Sequence, residues 1–210
     1  RPGPQPTVHD PSHPMNPYVR DMPYSGLSMF VRYNTARPPF QDINIRKALA
    51  HAIDMDKIIP AVFGPAGNRG GGGVLQEDLR CYNPALERYN YDVEKAKQFL
   101  SQSEYKTGDA VPTIKIQSRP GNTQFNLTMQ AWQDAWKNNL GVEFKITLVE
   151  TGGEIPPDMN MRIASSGAGI PDPVNFLAQV VHTRGTGQMH INDELDALVE
   201  KAEAMNLDDP

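Results

Sequence analysis

The stretch Pro38-Pro39-Phe40-Gln41-Asp42-Ile43-Asn44-Ile45-Arg46-Lys47-Ala48-Leu49-Ala50-His51-Ala52-Ile53-Asp54 decides how this chain is read. Its two prolines favour an extended entry, because each fixes φ and biases the residue before it away from the helix. Asp42 then has the chemistry of a helix N-cap, a carboxylate that accepts from the first free N–H groups. Ile45, Leu49, Ala52 and Ile53 follow at helical spacing on one face. Asp54 repeats the cap and starts a second helix through Lys57, Ile58, Ile59, Ala61, Val62 and Phe63. Pro60 falls within its first turns, and Gly64-Pro65 stops it.

Upstream, residues 1–24 are Pro-rich and lack any apolar period, so they read as an extended arm or linker. Residues 27–34 (Leu27 to Asn34) alternate apolar and polar side chains, as in a half-buried strand. Downstream, residues 66–83 are glycine-rich and polar, which predicts a long surface loop of the kind that borders binding clefts. Asp92 caps a predicted helix through Leu100, with Val93, Ala96, Phe99 and Leu100 as its stripe. The remaining pattern is a strand at 113–117, a helix at 124–138, a strand at 142–149 and a strand at 159–164. Helices at 173–181 and 192–205 close it. Leu140-Gly141 is a usual helix stop, and Pro173 suits a first helical position. This alternation predicts an α/β fold, a mixed sheet covered by helices, over residues 25–210 as a single unit.

Composition narrows the function classes. A net charge of −5 over 210 residues argues against a nucleic-acid partner, since nothing here would neutralise a row of phosphates. Mean hydropathy is −0.52, and no apolar run approaches the ~20 residues that cross a bilayer. The single cysteine, Cys81, excludes an internal disulfide and a thiolate zinc cluster. His9 and His13 lie in the Pro-rich segment, where a helical pair of ligands cannot form. His51, His182 and His190 lack a local partner at ligand spacing, so no metal site is expected. Gly70 to Gly73 lacks the following Lys-Ser/Thr of a phosphate loop, and no nucleophile elbow appears, so no catalytic residues and no cofactor are assigned.

The opening stretch resembles the PPFxDxxVRxALxxAID signature of extracytoplasmic solute-binding proteins of the peptide/nickel ABC importer family. Further segments resemble the same family in the same order. They are Tyr89-Asn90-Tyr91-Asp92 with Val93 to Leu100, Leu140-Gly141-Val142 followed by Val149-Glu150, Pro171-Asp172-Pro173-Val174-Asn175-Phe176-Leu177, and Asp193-Glu194-Leu195-Asp196-Ala197-Leu198. The resemblance implies a periplasmic-binding-protein-like fold in which two α/β lobes close on a solute and deliver it to a membrane permease. It implies that residues 25–210 are the second lobe, that the first lobe lies outside this sequence, and that the protein is exported, in the periplasm or as a surface lipoprotein. The function implied is capture of a small solute, peptide-like, sugar or other, without enzymatic activity.

The same resemblance puts one ligand in doubt. Where peptide-binding members carry an aspartate for the peptide amine, this chain has Gly169, and a tryptophan expected nearby falls at Ser166. The helix start that holds a carboxylate-gripping arginine reads Gln124-Phe125-Asn126-Leu127. A dipeptide zwitterion whose charges are buried without partners costs several kcal/mol. The candidate ligand-binding residues are therefore Ser165, Ser166, Gly167 and Gly169, following a strand, with Arg119 and Asn122 at the end of another. Short hydroxyls and bare amides suit a neutral, hydroxyl-rich solute or a small anion; a plain turn is the alternative. Two other functions remain open from the residues: a hydrolase with dispersed Asp and His, and an interaction domain that has kept the fold without the ligand.

Overall fold

The computed structural model describes residues 11–18, 28–64, 67–77, 79–118, 121–148, 158–166, 172–186 and 189–205. In chain order the elements are β1 (Ser28–Tyr33), α1 (Ile43–His51), α2 (Met55–Phe63), α3 (Val93–Gln102), β2 (Ile114–Ser118) and α4 (Thr123–Leu140). β3 (Phe144–Leu148), β4 (Met161–Ser166), α5 (Pro173–Val180), α6 (Thr183–Thr186) and α7 (Asp193–Ala204) complete them.

The opening stretch folds as its residues dictate. Asp42 Oδ1 accepts from the Asn44 N–H at 2.7 Å, and its Oδ2 accepts from the Glu104 N–H at 2.8 Å. One carboxylate thus caps α1 and ties it to the turn after α3. Asp54 caps α2 through the Lys57 N–H at 3.2 Å. Phe40, Ile45, Ala48, Leu49, Ala52 and Ile53 are all buried in the main core.

The sheet order is β1-β4-β2-β3. β2 runs parallel to β3, from Ile114↔Phe144 to Ser118↔Leu148, and parallel to β4 through Ile116↔Met161 and Gln117↔Arg162. β1 is antiparallel to β4, from Ser28↔Ser166 to Tyr33↔Met161. The result is the mixed sheet expected. Because side chains alternate along a strand, each face has its own layer. On the first face Ile114, Ile116, Phe144, Met161 and Ile163 pack with Met129, Trp132 and Trp136 of α4 and with α1 and α3. On the second face a smaller cluster joins Phe30 to Leu79, Phe176 and Val180.

Asn160 is the joint between the strands. Its N–H and Oδ1 bond the Lys115 carbonyl and N–H at 3.3 and 2.7 Å, its carbonyl accepts from the Asn34 N–H at 2.9 Å, and its Nδ2 donates to the Pro38 carbonyl at 3.2 Å. These bonds explain a correction to the sequence reading. The strand expected at 159–164 runs at 161–166, because Asn160 is spent on the joint and the ladder with β1 carries pairing on to Ser166. Elsewhere, among the described residues, β1 stops at Tyr33 before Asn34, β3 starts at Phe144 rather than Val142, and α4 extends to Thr123 and Leu140. Gly141, at φ 71°, ends α4 in the left-handed conformation. The short helix α6 carried no periodic signal and was not anticipated. Of residues 1–24, the described part holds one short 3-10 turn at Asn16–Tyr18.

Candidate functional site

Three observations place a crevice at the carboxyl edge of the sheet. β2 and β4 are parallel neighbours, so their carboxyl ends lie side by side. After β2 the chain passes to α4, which covers the first face; after β4 it passes to α5, which covers the second. Chains that leave adjacent parallel strands on opposite faces open a gap between the strand ends, where open α/β sheets bind ligands.

Both helices that follow start at this gap. Asn122 Oδ1 accepts from the Phe125 N–H at 3.0 Å and caps α4; Asp172 Oδ1 accepts from the Val174 N–H at 2.7 Å and caps α5. Helix N-termini carry partial positive charge, here met by a neutral cap on α4 and a carboxylate on α5.

The candidate residues divide accordingly. Ser165 and Ser166 are the last two residues of β4, within the strand and not after it, and Ser165 is exposed. Asn122 stands at the crevice with its side-chain oxygen engaged as a cap. Gly167, Gly169 and Arg119 lie outside the described residues. Sequence reasoning missed Ser28 and Gln76. Ser28 is the backbone partner of Ser166 at this same edge, and its Oγ accepts from Gln76 Nε2 at 2.7 Å. Gln76 belongs to the glycine-rich loop, which no periodicity placed, so only the folded chain brings it here. Its Oε1 is buried without a hydrogen-bond partner.

A concavity is formed around the end of α1 that carries His51. It is a polar groove of about 510 Å³ whose lining includes His51, Arg88, Asn90, Asp92 and Lys95. His51 is held there structurally, with Nδ1 bonded to the Asn90 carbonyl at 2.7 Å and its ring stacked on Phe99. Among the described residues no His, Cys, Asp and Glu cluster of metal-binding size occurs. Among them, too, no helix is long and apolar enough to cross a membrane.

Solved structures that share this fold include periplasmic binding proteins. DppA of Helicobacter pylori, solved with the peptide STSA, superposes with a TM-score of 0.74 at 24% identity, over 85% of this chain and 36% of that one. The chain has the fold of that class. It belongs, through residues 9–188, to the bacterial extracellular solute-binding proteins, family 5 Middle. Heme-binding protein A of Haemophilus influenzae is 27% identical over 205 residues, covering 89% of this chain and 36% of that relative. The dipeptide-binding protein of Escherichia coli is 31% identical over 137 residues, covering 64% of this chain and 25% of that relative. The chain thus spans between a quarter and two fifths of the length of these proteins.

Proposed function

We propose that residues 25–210 form the second lobe of a solute-binding component of an ABC importer. The lobe supplies one wall of a cleft whose other wall is a first lobe elsewhere in the polypeptide. The observation that carries this reading is the crevice between β2 and β4, in a chain that matches only part of the length of its relatives. Capture works by hinge closure: a solute that contacts both walls binds the closed form better and shifts the population toward it. The closed form then docks on a membrane permease outside the cytoplasm. The component binds and releases its solute without transforming it.

The ligand reading follows from the edge itself. Among the described residues of the edge, Ser28, Gln76, Ser165 and Asn122 are uncharged, and Asp172 already serves α5 as a cap. Together with Gly169 and Ser166 at the positions discussed above, this favours a hydroxyl- or amide-rich solute over a simple dipeptide zwitterion. The names of the relatives, heme-binding and dipeptide-binding, show that the family accommodates different cargo.

The test joins the chain to the rest of its polypeptide and screens sugars, peptides, heme and small anions by thermal shift. Stabilisation by one class, weakened in the isolated lobe because half of the contacts are gone, is expected. Turnover of a substrate by the whole protein, with stabilisation by none of these solutes, overturns the reading.

A further inference from the structure

Ser28 and Gln76 meet at the edge where β4 ends. Ser28 is the register partner of Ser166, and its Oγ accepts from Gln76 Nε2 at 2.7 Å. The loop fixes Gln76 from both sides. Leu75 and Leu79 belong to the second-face cluster with Phe30 and Phe176, and the Leu79 N–H donates to the Gln76 carbonyl at 3.0 Å. Earlier in the loop, a Cβ at Gly72 would stand 2.1 Å from the Leu86 carbonyl oxygen, and one at Gly71 would stand 2.5 Å from the Tyr82 hydroxyl. The glycines therefore serve close packing, and the loop brings Gln76 to one defined place.

The bond between the two side chains leaves each with an unspent atom. Ser28 Oγ accepts from the amide, and among the described residues its own O–H meets no acceptor. Gln76 Oε1 is buried and, among the described residues, accepts no hydrogen bond. Folded proteins rarely leave a buried acceptor so. Exchanging the oxygen and nitrogen of the amide gives the same count. Ser28 would then donate to Oε1, leaving Nε2 as the unspent donor and Ser28 Oγ as the unspent acceptor. In either orientation the pair offers one donor and one acceptor side by side. The amide torsion of glutamine is soft, so the covered atom can tilt toward the edge at small cost.

A group that satisfies both must itself donate and accept. A carboxylate only accepts and an ammonium only donates, whereas a hydroxyl or a carboxamide does both. A charged group would also need a counter-charge, and Asp172 at this edge is engaged as the cap of α5. We propose that Ser28 and Gln76 are the specificity-determining pair of the crevice, recognising a hydroxyl or a carboxamide of the solute. This role rests on the crevice being a solute site, and it names the group by which an uncharged solute is told from a zwitterion.

The whole polypeptide is titrated with neutral hexoses and N-acetylated peptide amides, each matched with its hexuronate or free peptide. A neutral member is expected to bind, and Ser28→Ala and Gln76→Met should each weaken it about tenfold, the worth of one hydrogen bond. The double variant should weaken it little more than either, because the two residues act as one unit. Without solute, the double variant is expected to unfold at or above the wild-type midpoint, since the unsatisfied oxygen leaves with its partner. Unchanged affinity in the variants, or binding of charged solutes alone (heme included), overturns the pair and leaves the crevice a solute site. Stabilisation by no solute at all overturns the solute reading and the pair with it. Should Gln76→Met fail to fold, Ser28→Ala decides by the same change in affinity.

Discussion

The indole N–H of Trp136 donates to the main-chain carbonyl of Leu49 at 3.0 Å, and both residues are buried. This bond fastens the carboxyl-terminal part of α4 to the carboxyl end of α1, beneath the sheet's first face. Beside it, Asn139 Nδ2 donates to the Ala52 carbonyl at 2.9 Å. Carbonyls at a helix end lack intrahelical partners, so two side chains of α4 satisfy the end of α1.

Trp136→Phe keeps an aromatic ring but removes that donor. Leaving a buried acceptor unsatisfied costs about 1–3 kcal/mol, and the smaller ring loosens contact with Phe144, whose centroid lies 5.0 Å away. Urea unfolding is expected to show a loss in that range or above. A loss no larger than that of an exposed substitution would mean that the Leu49 carbonyl finds another donor.

Gly108 and Gly141 are predicted to fail for different reasons. A Cβ at Gly108 would stand 1.8 Å from the Leu140 carbonyl oxygen, so Gly108→Ala must displace backbone and is expected to cost about 1–3 kcal/mol or more. Gly141 has open space but sits at φ 71°, so Gly141→Ala costs about 1–2 kcal/mol through the left-handed backbone alone. Gly141→Asn, which tolerates that conformation, should recover part of the loss, whereas Gly108→Asn should not. Unfolding midpoints of the four variants separate the cases.

Asp196 gives the fold an acid-sensitive contact. Its Oδ1 accepts from the Thr183 N–H at 2.9 Å. Hydrogen bonding from Thr183, aided by the nearby His182 and His190, holds its carboxyl below the usual aspartate range. A depressed folded-state pKa stabilises fully above the unfolded value of about 3.9 and is lost as pH falls through the folded one. Thermal midpoints followed from about pH 6 to about pH 2 should show the wild type and Asp196→Asn converging on the acid side. Parallel curves would remove Asp196 from the acid limb.

Asn122 separates capping from ligand contact. Asn122→Ala is expected to lose about 1 kcal/mol of stability, while Asn122→Asp, an equally good cap, should lose little. If the residue also meets the proposed solute, Asn122→Asp weakens binding in the proposed two-lobed protein at unchanged stability, since a carboxylate cannot donate as the amide does. Chemical denaturation and solute titration on the same variants check both parts.

Much of the scaffold was legible in the residues because its signals are local. Asp42, Asp54 and Asp92, read as caps from the sequence, are caps in the structure, each bonded to an N–H within three residues of itself. The apolar stripe Ile45, Leu49, Ala52 and Ile53 is buried as its spacing required. Strand ends were less legible. Ser165 and Ser166 read as following the strand, since no local feature of β4 announces that Ser28 will pair with Ser166 across the sheet. Gln76 was invisible for the same reason: a glutamine in a glycine-rich loop has no period, and its bond to Ser28 joins residues far apart in sequence.

By itself, then, the sequence determined most of the elements and the caps of α1, α2 and α3, the α/β class and the family resemblance, all of which rest on spacing within a few residues. Tertiary structure decided the strand order β1-β4-β2-β3, the crevice between β2 and β4, and the meeting of Ser28 with Gln76. The physical reason is register. A one-residue slip of a strand moves every side chain to the other face, and register is set by packing and pairing across the whole sheet, which no short stretch of sequence contains.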